Sequence, residues 1–243
     1  FFEFIRVQTS SGVASYNALG RKYLKQIIFD IDKQLTNIET SYQFLWLVSP
    51  SNIREIKNEF FNSKFEKVPD YHYRLLPIDP DVLKRRLYNL KLEDIDDPAM
   101  SFLFREKREE LDMQITMLSE RGTKNFMYDG IRLYKGIDHD LCEAATNILT
   151  KVPEENDREG EDLLDARAFS SMARKEFDYF REQDENFKCK VHIRNDVNVM
   201  MVSHGELYIP ADYKMKRIEA EALIQHEVGT HVLTYYNGKT QPL

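Results

Sequence analysis

Near its C-terminal end the 243-residue chain reads Ile224-Gln225-His226-Glu227-Val228-Gly229-Thr230-His231-Val232-Leu233, and this spacing restricts the backbone that can carry it. The stretch lies in a predicted helix from about Lys214 to Tyr236. Two imidazoles and a carboxylate fall within it as H-E-x-x-x-H. Histidines at i and i+4 stand about 40° apart around a helix of 3.6 residues per turn, whereas at i and i+5 they stand about 140° apart and cannot close on one ion. Either the helix is deformed or the two rings share no site. A single π-type turn, with its i→i+5 hydrogen bond, brings His226 and His231 to one face. Gly229 sits inside that turn and lowers the steric cost of the distortion. The spacing therefore predicts a π-type bulge around Val228 to Thr230.

Two neutral nitrogen ligands beside a carboxylate are the groups a zinc hydrolase needs. His226 and His231 are the candidate ligands. Glu227, adjacent to the first, is the candidate base and can reach a water without occupying a coordination position. A catalytic zinc takes three protein ligands and a water, so the motif is one ligand short, and no Asp, Glu or His lies between Val232 and Leu243. The third ligand comes from upstream, from sequence beyond Leu243, or not at all. The plainer reading is a structural helix in which the three side chains hold no metal.

The formal net charge of −7 and the pI near 5.5 argue against binding of nucleic-acid phosphates. No run approaches the roughly 18 apolar residues of a membrane span. Cys142 and Cys189 are far apart and read as reduced core thiols, which fits a cytoplasmic, reducing compartment. The chain opens at Phe1 with no charged-then-apolar leader and reads as an internal piece of a longer protein.

Along the chain, Phe1–Val7 reads as a strand, Val13 to about Thr36 as a helix with Leu19, Tyr23, Ile27, Phe29 and Ile31 inward, and Tyr42–Val48 as a strand. Ser51 is placed to cap a helix over Ile53–Phe61. Tyr71–Pro77 alternates like a strand. These elements predict a small α/β module over residues 1–90. Helices follow at Asp81–Leu90, Ala99–Glu120 and Asp138–Thr150, with a short strand or turn at Phe126–Tyr134. The acidic stretch Pro153–Gly160 reads as a loop or domain seam. Beyond it come a helix over Asp162–Arg181, strands at Lys188–Ile193, Val197–Ser203 and Glu206–Ile209 with a turn at His204-Gly205, and the H-E-bearing helix, closed at Asn237-Gly238 by a left-handed cap. The whole is an α+β chain whose second part, 91–243, is helical with a short sheet.

The segment His226–Thr234, continued by Tyr235-Tyr236-Asn237-Gly238 and Gln241-Pro242-Leu243, resembles the active-site helix of a metallopeptidase family. That family comprises the microtubule-associated tyrosine carboxypeptidases and bacterial proteins named for a QEGLA motif and described as flavohemoglobin expression modulators. Met200–Ile209 is similar to the family's segment just before that helix, and the resemblance covers about Pro98–Leu243. It implies a zincin-like peptidase with His226 and His231 as zinc ligands, Glu227 as general base, and a glutamate on a later helix as third ligand. No QEGLA motif occurs in this sequence, so that ligand is expected after Leu243. Eukaryotic members remove the C-terminal tyrosine of α-tubulin, so a peptide or protein C-terminus is the implied substrate.

Among weaker candidates, His204 could face the cleft and hold a substrate carboxylate or oxyanion. Met200, Val202, Leu207 and Ile209 read as sheet packing, and Tyr235, Tyr236 and Lys239 as a helix-end cluster. His72, His139 and His192 look isolated. The acidic run 154–159 reads as a solvated loop and Lys84-Arg85-Arg86 as a helix face. The two functions in play are a zinc-dependent, carboxypeptidase-like enzyme and a non-catalytic interaction or regulatory module that keeps the helix for structure.

Overall fold

The structure, a computed structural model, describes residues 23–152 and 162–241. The strand expected at Phe1–Val7 and the loop expected at Pro153–Gly160 lie outside the described residues. The chain is α+β: among the described residues helices dominate, with one two-stranded and one three-stranded sheet. Its described residues form two compact units, one made of 24–52 and 59–152, the other of 23, 53–58 and 162–241.

The first unit is helical over its described residues. It contains α1 (Gln26–Glu39), α2 (Phe44–Val48), the end of α3 (Ile53–Asn62), α4 (Pro80–Tyr88), a 3-10 turn (Leu92–Asp94), α5 (Pro98–Ser119), α6 (Asn125–Tyr134) and α7 (His139–Lys151). Aspartate caps start three of these helices: Asp79 and Asp97, each followed by Pro at the first helical position, and Asp138. In α1 the buried stripe is Ile28, Ile31, Leu35 and Ile38, while Tyr23, expected inside, is exposed.

Three local expectations are corrected here. Tyr42–Val48 is no strand: Phe44–Val48 is helical. A short apolar run carries no period that separates strand from buried helix, and a helix satisfies its own backbone, as Leu47 N–H does by donating to the Gln43 carbonyl. Tyr71–Pro77 forms no strand either. Side chains bind its backbone instead: Asn52 accepts from His72 N–H at 2.9 Å, and Arg121 donates to the Arg74 carbonyl at 3.0 Å. Phe126–Tyr134 lies in a helix, α6.

The second unit holds the motif. Its elements are β1 (Leu163–Asp165), α8 (Ala166–Gln183), β2 (Val191–Arg194), β3 (Met201–Ser203), β4 (Glu206–Pro210), β5 (Lys214–Lys216), α9 (Arg217–His226), a π-helical segment (Glu227–Val232) and α10 (Leu233–Lys239). β1 pairs antiparallel with β5, and β4 lies between parallel β2 and antiparallel β3. The β1–β5 ladder was not expected. It takes the first residues of both predicted helices, so α8 starts after the cap Asp165 and the motif helix starts at Arg217.

One core organises this unit. Phe169, Ala173, Phe177 and Phe180 of α8 pack with Phe187, with Leu207 and Ile209 of β4, and with Ala220, Ile224, Val228, Val232 and Leu233 of the motif helix. Leu207 and Ile209 are fully buried, as sheet packing predicts, because alternate residues of β4 face the helix. The helix runs through Asn237-Gly238 to Lys239 and ends at Thr240 in a right-handed conformation, so no left-handed cap forms there. Thr240 N–H closes the last turn onto the Tyr236 and Asn237 carbonyls, which leaves that cap without a role.

Candidate metal centre

The helix changes register where the histidine spacing requires it. α9 is regular up to His226, the π segment runs from Glu227 to Val232, and α-helix resumes at Leu233. Backbone angles stay right-handed across both junctions, −70°/−55° at His226 and −62°/−44° at Val232. The added residue is absorbed by the hydrogen-bond register and not by a break. Thr230 supports it: its hydroxyl donates to the Gln225 carbonyl five residues back, at 3.1 Å. At Gly229 a Cβ would stand 2.8 Å from the Gln225 side-chain oxygen, so the missing side chain leaves room for Gln225 against the turn.

The π turn brings the two imidazoles together. His226 Nε2 and His231 Nε2 are 3.2 Å apart, with ring centroids at 4.7 Å and planes at 87°. Both rings are exposed, whereas Glu227, the residue after His226, is only 7% exposed. Val228 and Val232 anchor the opposite side of the same turn in the core. Burial pushes the Glu227 carboxyl above the usual carboxylate range, and His231 and His226 offset part of that rise.

The two nitrogens fit as part of a zinc site. Ligands held at about 2.0–2.1 Å from a tetrahedral ion stand roughly 3.3–3.4 Å apart, close to the observed separation, and imidazole suits zinc. Among the described residues, no group of three or more His, Cys, Asp or Glu side chains is placed to hold an ion.

His204 sits at the tip of the β3–β4 hairpin. Ser203 pairs with Glu206 across a two-residue turn, and His204 and Gly205 both have positive φ, 49° and 74°. That is the type I′ geometry suited to the twist of a hairpin. The His204 ring is exposed and its Nδ1 is 3.3 Å from Ser203 Oγ. β3 and β4 both pack against the π segment.

His192, read as isolated, is partnered. Its Nε2 is 2.7 Å from Glu206 Oε2, and its ring stacks on Tyr208 at 4.9 Å. Only the parallel β2–β4 register, which sets His192 beside Tyr208, reveals this pairing. His72 and His139 are exposed, and His72 has Asp70 at 3.8 Å. Cys142 is exposed and not a core thiol, because α7 buries none of its residues. Cys189 is half-buried, and burial pushes its thiol up to about 11. Neither cysteine is in a disulfide. Behind the motif, the Tyr236 hydroxyl donates to Asp184 and its ring meets Phe187, which ties α10 to the end of α8.

A family model described as microtubule-associated tyrosine carboxypeptidase matches residues 58–243. No curated protein and no solved structure matches the chain. No helix among the described residues is long and apolar enough to cross a membrane.

Proposed function

The chain belongs to the microtubule-associated tyrosine carboxypeptidase family, and from that premise we propose that it is a zinc-dependent peptidase that releases a residue from the C-terminus of a peptide or protein. The observation that carries the reading is the π turn: it sets His226 Nε2 and His231 Nε2 3.2 Å apart on the exposed side of a helix whose next side chain, Glu227, is buried. His226 and His231 would hold the ion, with a third ligand from outside the described residues. Zinc bound there supplies a Lewis acid for the scissile carbonyl and for water. Glu227 takes the proton of the attacking water and returns it to the leaving amine. His204, exposed at the hairpin tip, is the proposed partner of the substrate's terminal carboxylate. The site of action proposed is cytoplasmic.

The test combines zinc content with hydrolysis of peptides that differ in their C-terminal residue, for the wild type and Glu227→Gln. The reading requires bound zinc in both proteins and a loss of turnover of at least about a hundredfold in the variant. A folded wild type that takes up no zinc and releases no residue rejects it and favours the non-catalytic module.

A further inference from the structure

The β3–β4 turn touches the motif helix at one closely fitted point. A Cβ on Gly205 would lie 2.3 Å from Cδ1 and 2.7 Å from Cε1 of the Tyr235 ring, so the ring fills the space that a side chain at 205 would need. Glycine is required there twice, by that approach and by φ of 74°. Tyr235 follows His231 by four residues across the return to α-helix. It therefore stands on the imidazole side, about 6 Å further along the axis.

The two neighbouring tyrosines divide the work. Tyr236 points into the core, with its hydroxyl on Asp184. Tyr235 is 42% exposed, and its hydroxyl bonds to no described residue. Its contact with the turn is made by the ring alone. A two-residue hairpin tip is ordinarily among the less protected parts of a fold, yet this one is held against the helix one turn beyond a candidate ligand.

We propose that Tyr235 is a positioning residue: its ring clamps the His204-Gly205 turn to the motif helix and holds that turn as a fixed wall of the peptide cleft beside His226 and His231. The proposal rests on the peptidase reading above. A wall held in place before substrate arrives spares the ordering cost of binding, so the clamp acts on substrate affinity and not on the proton transfers of Glu227. Because the ring makes the contact, phenylalanine replaces tyrosine without loss.

The experiment uses the full chain with zinc and compares wild type, Tyr235→Phe, Tyr235→Ala and Gly205→Ala. Each is assayed for kcat and KM on a C-terminal peptide, and for amide hydrogen exchange at residues 203–206 without substrate. Tyr235→Ala should raise KM about tenfold with kcat within about twofold and speed exchange at the turn, whereas Tyr235→Phe should match wild type in both. Gly205→Ala should shift KM in the same direction as Tyr235→Ala. Equal exchange in the Ala and Phe variants, an unchanged KM in Tyr235→Ala, or a fall confined to kcat overturns the clamp. If the wild type hydrolyses no peptide, the peptidase reading fails, and the exchange comparison still decides whether the ring holds the turn.

Discussion

His226 Nε2 and His231 Nε2 stand 3.2 Å apart although five residues separate them, because the backbone between them follows a π register. If both nitrogens bind one zinc ion, removing either breaks the site. His226→Ala and His231→Ala should each weaken zinc binding roughly 100-fold or more, as read by competition with a chromophoric chelator. Wild-type affinity in both variants would count against a shared ion.

Thr230 gives the π turn a hydrogen bond that an isostere removes. Thr230→Val keeps the shape, and its loss of the 3.1 Å contact to the Gln225 carbonyl should cost about 0.5–1 kcal/mol in urea unfolding, the low end for a hydrogen bond at an exposed side chain. The same variant should bind zinc less tightly, since the turn sets the ring separation. An unchanged midpoint and an unchanged affinity together would show that the hydroxyl plays no part.

Gly205 and Tyr235 should be energetically coupled. Gly205→Ala introduces both a clash with the ring and a Cβ at φ of 74°, for a total of about 2–3 kcal/mol. In a Tyr235→Ala background only the backbone penalty remains, so the same substitution should cost about 1 kcal/mol. A double-mutant cycle by chemical denaturation reads the difference, and strict additivity would contradict the contact.

The Asp184–Tyr236 hydrogen bond should make stability depend on pH in a defined direction. The Tyr236 hydroxyl holds the Asp184 carboxyl below the usual carboxylate range, and burial with that same bond pushes the tyrosine up to about 12. A carboxyl whose folded pKa is depressed contributes stability that is present above its unfolded pKa and is lost as pH falls through the folded one. Tyr236→Phe should therefore lower Tm at pH 7 and lower it less once pH has fallen through the depressed folded-state pKa of Asp184. A difference between the two proteins that is constant from pH 7 to pH 2 would assign the effect to packing alone.

Much of the site was legible because its information is local. H-E-x-x-x-H admits few backbones that serve one ion, and the π segment lies over Glu227–Val232, spanning the predicted Val228–Thr230. The helices expected from Asp81 and Ala99 start one residue earlier, at Pro80 and Pro98, because a capping aspartate and the proline after it act within one turn. Expectations failed where the outcome depended on a remote partner. Tyr42–Val48 had the composition of a strand but pairs with no strand among the described residues, and Phe44–Val48 closed its hydrogen bonds as a helix. Leu163–Asp165 and Lys214–Lys216 lie 49 or more residues apart and became strands by pairing with each other. His192 gained Glu206 only through the parallel register of β2 and β4.

By itself, then, the sequence determined the register change in the motif helix and the identity of the candidate ligands and base, because residue spacing along one helix is a matter of backbone geometry within a few residues. Tertiary structure alone decided that Glu227 is buried while the histidines beside it are exposed, and that the hairpin turn meets Tyr235. Burial and close approach depend on surfaces contributed by α8 and the β3–β4 hairpin, and those surfaces exist only once distant segments have packed together.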